Sequence, residues 1–166
     1  MKNFGKKNQI DYIKLKDWYF TLARNHELAA RCLSNEKLYS EAVVMLIQAM
    51  EKKITGLICS KINMSNPYFS QKIRDIGHRM DHSVDFLIEI LSGKDIILKH
   101  HLVAQLKSGV LENLKFNVLY NECRYPYPIQ RQPGYYSMRL ISEKDFLRLN
   151  RINCKLDAFI NDLIRL

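Results

Sequence analysis

The chain has 166 residues, 47% of them hydrophobic and 26% charged, and these proportions are typical of a folded globular protein and not of a disordered one. It contains only six glycines and four prolines, which disfavours a many-stranded sheet and favours long helices. The formal charge of +9 favours a polyanionic partner, above all RNA, or an acidic protein, although a solvated lysine-rich surface would give the same charge.

The cysteine pattern and the hydropathy pattern set the expected environment. Four cysteines stand singly, which fits neither a zinc ribbon nor a dense disulfide framework, so neither metal nor cofactor is expected. Cys32 and Cys59 lie on helical patterns beside apolar residues and are predicted to be buried, reduced thiols. The sequence shows no secretory signal, and no apolar run approaches the ~20 residues that span a bilayer. We therefore expect a cytoplasmic protein without a membrane anchor.

Residues 1–11 are predicted to be an N-terminal extension and residues 12–166 a single helical domain. The first predicted helix, residues 12–33, has one apolar stripe that should face the core. The second, residues 39–62, has a broad apolar face. The stripe of the first helix consists of Leu15, Trp18, Leu22, Ala29 and Leu33.

The middle of the chain is predicted to hold a connection and two further helices. Residues 63–77 are assigned to the connection because Asn66-Pro67 is a turn signal. A third helix is expected over residues 78–91 and ends at Ser92-Gly93. A fourth is expected over residues 95–120 and should end near Arg124-Tyr125-Pro126, because proline disfavours helical conformation in the residue before it.

The last part of the chain holds one long irregular segment, residues 123–141, and then a terminal helix capped by Ser142. That helix carries a regular apolar seam, which we expect to pack in the core in preference to forming a dimer contact. The seam consists of Leu149, Ile152, Leu156, Phe159, Leu163 and Leu166. These elements together predict an all-α, antiparallel up-and-down bundle of about five helices.

Three motifs occur in an order that resembles the HEPN domain family. The second helix carries Ala42, then Gln48, then the pair Glu51-Lys52; Gly77-His78 follows, and the fourth helix ends in Tyr120-x-x-x-Arg124-Tyr125-Pro126. The resemblance covers most of the chain, from about residue 12 onward. It implies a helical bundle that forms homodimers, with a polar groove near the dimer interface.

The HEPN family divides in its chemistry, and the resemblance implies two alternatives. Many members are metal-independent endoribonucleases, often toxins paired with a nucleotidyltransferase-like antitoxin, whereas others bind nucleotides or act as scaffolds. The ribonuclease members carry an arginine and, after four to six intervening residues, a histidine that transfers protons. No arginine of this chain has a histidine at that distance, and Ile129, Gln130 and Arg131 stand where it would follow Arg124. We therefore expect no catalytic residues and favour a non-catalytic binding module, with a ribonuclease using a substituted residue as the alternative.

The candidate ligand-binding residues come from these same motifs. Arg124 is the main candidate because its guanidinium can grip a phosphate with two donors, and it could instead pair with Glu51 across the bundle. Loop tyrosines could stack on bases, although covering the core with an exposed hydroxyl is the preferred interpretation. A metal site at His78 and His82 is disfavoured, because Arg79 lies between them. The full candidate set is Gln48, Glu51, Lys52, His78, Tyr120, Arg124 and Tyr125.

Overall fold

The structure, a computed structural model, describes residues 14–165 and confirms an all-α fold. In the described part of the chain there are seven α-helices, one π-helical segment and one two-stranded antiparallel hairpin. The predicted extension, residues 1–11, lies outside the described residues. The elements are α1 (Leu15–Asn35), α2 (Tyr39–Lys61), α3 (Pro67–Ile76), α4 (Met80–Ser92), α5 (Ile96–Leu102), a π-helical segment (Val103–Val110), α6 (Phe116–Arg124), β1 (Tyr127–Pro128), β2 (Tyr136–Ser137) and α7 (Glu143–Arg165).

Helix α2 is the centre of the bundle. Its residues 49–59 are all buried, because α1, α4, α6 and α7 pack around it. The approach of α1 is close at Gly56, where an added Cβ would lie 3.3 Å from the Phe20 ring and from the Tyr19 Cβ. A larger side chain at this position would therefore force α1 away from α2.

The buried stretch of α2 contains a lysine that connects three helices. The Lys53 Nζ donates to Glu27 Oε1 at 2.5 Å and to Asn153 Oδ1 at 2.9 Å, and lies 2.5 Å from Asp157 Oδ1. Asn153 Nδ2 also donates to Glu27 Oε1, at 2.6 Å. These bonds join α1, α2 and α7 and compensate for burying an ammonium group.

The apolar seam of α7 packs in the core as expected, whereas of the stripe predicted for α1 only the C-terminal end, with Leu33, does so. Of the seam, Leu149, Ile152, Leu156 and Phe159 are buried and Leu163 is half-buried. Leu15, Trp18 and Leu22 of α1 are exposed, and the buried residues of this helix are Ala23 and Ala30. The buried face of α1 is therefore small at Ala23 and Ala30, whereas Tyr19 and Phe20 make the close contact with Gly56.

The predicted connection at residues 63–77 is largely helical, so that prediction was wrong. Asn66 caps α3 by accepting a hydrogen bond from the Tyr68 backbone N–H at 2.9 Å, and Pro67 occupies the first turn. Proline is favoured there because the N–H that it lacks would have no partner inside the helix. The Asn-Pro pair therefore begins a helix and does not merely turn the chain.

The predicted fourth helix, residues 95–120, is broken into three pieces, so its continuity was also wrong. Asp95 caps α5, the chain continues as the π-helical segment, and a tight turn follows in which Glu112 and Asn113 both have φ of +53°. Glu112 is tied to α7 by Arg148 and Lys155, each at about 3.0 Å. These contacts stabilise a backbone conformation that non-glycine residues rarely adopt.

Helix α6 then begins with a cap from another helix. The Asp81 carboxylate, at the start of α4, accepts hydrogen bonds from the Phe116 N–H at 3.2 Å and from the Asn117 N–H at 3.0 Å. A carboxylate stabilises the positive end of a helix dipole. α6 ends at Arg124, as predicted. Among the described helices, none combines the length and the apolar character that crossing a bilayer requires.

Candidate nucleic-acid interface

The candidate residues of α2 lie on one side of that helix. Gln48, Glu51 and Lys52 are spaced by three and four residues, so their side chains project from neighbouring turns of the same face. Gln48 contacts α6, and the Glu51-Lys52 pair contacts His78 just before α4. Gln48 and Lys52 are about 6 Å apart along the helix axis, because each residue of an α-helix rises by about 1.5 Å.

Arg124 lies at the α6 end of this face and is positioned by two tyrosines. Its Nη1 donates to the Tyr120 hydroxyl at 3.0 Å, and that hydroxyl also accepts from Gln48 Nε2 at 2.8 Å. The Arg124 Cζ lies 4.9 Å from the ring centroid of Tyr120 and 5.0 Å from that of Tyr125. Both distances are in the range of a cation–π interaction. The guanidinium is therefore oriented while its residue remains exposed.

The alternative in which Glu51 pairs with Arg124 is not what the structure shows. Glu51 Oε2 accepts from the Nζ of neighbouring Lys52 at 2.6 Å, and Glu51 Oε1 lies 3.4 Å from the hydroxyl of Thr55. Among the residues that the structure describes, no carboxylate pairs with Arg124. The N–H groups of Arg124 that do not bind the Tyr120 hydroxyl are therefore available to a ligand.

His78 completes the other end of the face. The Lys52 Nζ lies 3.3 Å from His78 Nδ1, and Glu51 Oε2 lies 3.7 Å from the same nitrogen. An ammonium only donates, so we assign Nδ1 as the acceptor, which places the proton of a neutral His78 ring on Nε2. The side chain is 75% exposed, so this Nε2–H can reach a ligand. α4 begins at Met80, so His78 and His82 do not share a helix, as a metal site at that spacing would require.

Two residues of α1 that the sequence reasoning missed adjoin Lys52 and Glu51. The Lys52 Nζ lies 5.9 Å from the Tyr19 ring centroid, and burial, with Cys59 and Glu51 nearby, raises the pKa of Tyr19. Burial and the Lys52 charge lower the pKa of His26, against the opposite effect of Glu51. The seven-residue spacing of Tyr19 and His26 places both on one face of α1, which is a signal that the sequence contained.

The tyrosines after α6 do not cover the core, which corrects the preferred interpretation of them. Tyr125, Tyr127, Tyr135 and Tyr136 are all exposed. Tyr125 contacts the guanidinium of Arg124, and the other three lie on or beside the β1–β2 hairpin. Their rings are therefore free to contact a ligand.

The structure brings the seven candidate residues together in two groups along α2. Arg124, Tyr120, Tyr125 and Gln48 form one group, and Lys52, Glu51 and His78 form the other. The first group offers a fixed guanidinium with flanking rings, and the second offers an imidazole backed by an ion pair. This chemistry suits an anion with a planar group attached, such as a nucleotide.

Comparisons with known proteins do not assign the chain to a family. No protein-family model matches it, and neither the curated proteins nor the solved structures include a similar one at a significant level. The resemblance to HEPN domains thus stays a prediction.

Proposed function

We propose that this protein is a HEPN-like, non-catalytic binding module that recognises the phosphate of a nucleotide or of RNA through Arg124. The observation that carries the proposal is the state of this guanidinium, which two tyrosine rings orient and no described carboxylate neutralises. A fixed arginine fork loses little conformational freedom when it binds a phosphate with two hydrogen bonds.

The neighbouring groups support the same ligand. His78 adds an exposed N–H donor where it contacts the buried Lys52–Glu51 pair, about one helical turn further along α2, and Tyr125 presents an exposed ring beside the guanidinium. A ligand that combines negative charge with a planar base would use both features. The formal charge of +9 would attract such a ligand over longer distances.

The HEPN resemblance extends the proposal to partners. A homodimer and a nucleotidyltransferase-like protein partner both follow from that resemblance, whereas the proposed cytoplasmic location comes from the cysteine and hydropathy patterns. Sedimentation of the purified chain would test the first of these.

The proposal is tested by titration calorimetry with adenosine monophosphate and with a short oligouridine. We expect wild-type protein to bind at low salt, and Arg124→Ala to weaken binding by about tenfold or more, because one charge-assisted contact is worth roughly 1.5–3 kcal/mol. The matched control is Arg151→Ala, which removes an exposed arginine of α7 and should bind as wild type. An Arg124→Ala protein with unchanged affinity, or a wild type that binds neither probe, overturns the proposal.

A metal-independent endoribonuclease, acting as a toxin, is the second candidate, and one contact favours it. In the other tautomer of the exposed His78, the Nδ1 proton would face Glu51 Oε2, 3.7 Å from Nδ1, and Nε2 would be left to accept a proton from RNA. Incubation with mixed RNA in EDTA would reveal this activity. Cleavage that both Arg124→Ala and His78→Ala abolish would replace the non-catalytic proposal.

A further inference from the structure

The segment after Arg124 projects an unusual density of aromatic and apolar side chains into solvent. Tyr127, Tyr135 and Tyr136 are 41%, 67% and 64% exposed. Ile129 and Met138, between and beside them, are exposed as well. Scattered single apolar residues need no explanation on a protein surface, but a continuous set of this kind marks an interaction site.

The pairing of the hairpin determines which of these rings share a face. Tyr127 pairs with Ser137 and Pro128 with Tyr136, and the Ile129 N–H donates to the Tyr135 carbonyl at 3.0 Å. Cross-strand partners point to the same side of a ribbon and alternate residues do so too. Tyr127 and Tyr135 therefore lie on one face with Ile129 between them, and Tyr136 lies on the other.

The charge of the segment identifies the kind of partner. Residues 124–141 contain Arg124, Arg131 and Arg139 and not one aspartate or glutamate. Arg139 is paired with Glu122 of α6, whereas Arg124 and Arg131 have no carboxylate partner among the described residues. Exposed rings interleaved with free arginines are complementary to a polyanion whose flat faces are accessible.

The backbone of the segment is braced before any ligand arrives. Pro126, Pro128 and Pro133 restrict φ, and Gly134 adopts φ of +86° in a tight turn that the Tyr135 N–H closes onto the Gln132 carbonyl at 3.0 Å. The Arg139–Glu122 ion pair returns the chain to α6. Ligand binding would therefore restrict few additional backbone torsions, so its cost in conformational entropy should be small.

We propose that one face of the hairpin is a stacking platform for single-stranded polynucleotide, with Arg124 holding a phosphate at its base and Tyr127 and Tyr135 each stacking on a base. The inference rests on the proposed function and deepens it by naming the ligand class. In a duplex the bases stack on each other and their faces are not available to the tyrosines, so single strands are selected. Stacking on aromatic rings tolerates any base, so little sequence preference is expected.

The experiment measures fluorescence anisotropy of a labelled twelve-nucleotide oligouridine, alongside calorimetry with adenosine monophosphate. Tyr127→Ser and Tyr135→Ser should each weaken oligouridine binding by about fivefold or more, since a stacked base contributes measurably to affinity. Both variants should bind the mononucleotide as wild type. Tyr127→Phe and Tyr135→Phe are the matched controls, because they keep the ring and lose only the hydroxyl, and should retain wild-type affinity. Circular dichroism verifies that each variant keeps its helices.

The possible results separate this inference from the proposed function. If Arg124→Ala loses mononucleotide binding while the serine variants bind oligouridine as wild type, the platform is refuted and the proposed function stands. If neither probe binds wild-type protein, the proposed function fails first and the platform with it. Equal binding of duplex and single strand also overturns the platform. The same holds if sedimentation shows a dimer that the serine variants dissociate, because the hairpin is then a contact between copies.

Discussion

Lys53 shows how a charge is accommodated in the middle of the bundle. Its side chain is only 6% exposed, yet it meets the oxygens of Glu27, Asn153 and Asp157 from two other helices. A buried ammonium is tolerated only when such partners replace its water. Removing the lysine would leave Glu27 and Asp157 facing each other without a cation.

We predict that Lys53→Met destabilises the protein by about 3 kcal/mol, the usual cost of breaking a largely buried charge pair from one side. Urea denaturation followed by circular dichroism measures the free energy of unfolding. Arg151→Met makes the same kind of change at an exposed position and should alter stability by no more than about 0.5 kcal/mol. Equal midpoints for Lys53→Met and wild type would contradict this account of the cluster.

Glu27 of the same cluster makes stability depend on pH. Burial alone would raise its pKa, but hydrogen bonds from Lys53 and Asn153 and the nearby charges outweigh burial and leave the pKa below the ordinary value of 4.5. A carboxyl with a depressed pKa in the folded state stabilises the protein above its ordinary pKa, and the contribution is lost as the pH falls through the depressed value.

We therefore expect the stability difference between wild type and Glu27→Gln to be full at neutral pH and to shrink as the pH falls below about 4.5. Urea titrations at a series of pH values give this difference directly, and other carboxyls cancel because both proteins contain them. If the stability difference between wild type and Glu27→Gln instead grows as the pH falls, the pKa of Glu27 is raised and not lowered in the folded protein.

At the scale of helices, the sequence predicted where most helices lie but not where a predicted helix is interrupted. The end of α6 at Arg124 was predictable because Pro126 disfavours helical conformation in Tyr125, the residue before it. Helix α3 was missed because Asn66-Pro67 was taken for a turn, although the same pair is a cap followed by a first-turn proline. The break at Glu112 was not predictable, since neither Glu112 nor Asn113 is glycine and the contacts that stabilise the turn come from α7.

Contacts between helices also limited what could be predicted of the candidate site. Residue type and helical spacing placed Gln48, Glu51 and Lys52 on one face, which local geometry alone decides. The partner of Glu51 depends on how helices approach each other, so the choice of Lys52 over Arg124 could not be read from spacing.

The connection between α1 and α2 offers a test of backbone strain. Lys37 follows α1 with φ of +61°, and the Leu38 N–H returns to the Leu33 carbonyl at 2.9 Å. Glycine is the usual residue at this position of a helix C-terminus. We predict that Lys37→Gly stabilises the protein by about 0.5–1 kcal/mol, measured by urea denaturation.

The neighbouring residue is the control for this prediction. Glu36 has φ of −84°, which every residue adopts, so Glu36→Gly gains no relief and should destabilise by about 0.5 kcal/mol through the flexibility of the unfolded chain. The same sign for both glycine variants would show that strain at Lys37 is not the cause.

For the molecule as a whole, helical periodicity was enough to predict an all-α fold, but it did not decide which residues face solvent. Cys32 was predicted to be buried and is exposed, as is Cys154, whereas Cys59 and Cys123 are buried. The apolar neighbours of Cys32 were misleading because α1 turns Ala30 and Leu33 to the core while Cys32 itself lies on the exposed side of the helix.

The thiols accordingly divide into two classes. Burial raises the pKa of Cys59 and of Cys123 to about 11, so both remain protonated and unreactive at neutral pH. We predict that Ellman's reagent modifies Cys32 and Cys154 in the native protein and the other two only after unfolding in guanidinium. A Cys32→Ser/Cys154→Ser double variant should show no rapid reaction; a rapid phase in it would mean that the core around α2 or α6 is open.

The chain leaves α6 at Arg124 and is drawn back to the same helix where Arg139 meets Glu122, so the two ends of the intervening stretch are neighbours. A stretch with adjacent ends can be shortened, lengthened or transplanted without displacing the elements that carry it. Changes in the length or sequence of residues 125–138 should therefore leave the helices folded. If this stretch is the stacking platform, the same changes would alter which ligands the protein prefers without altering its stability.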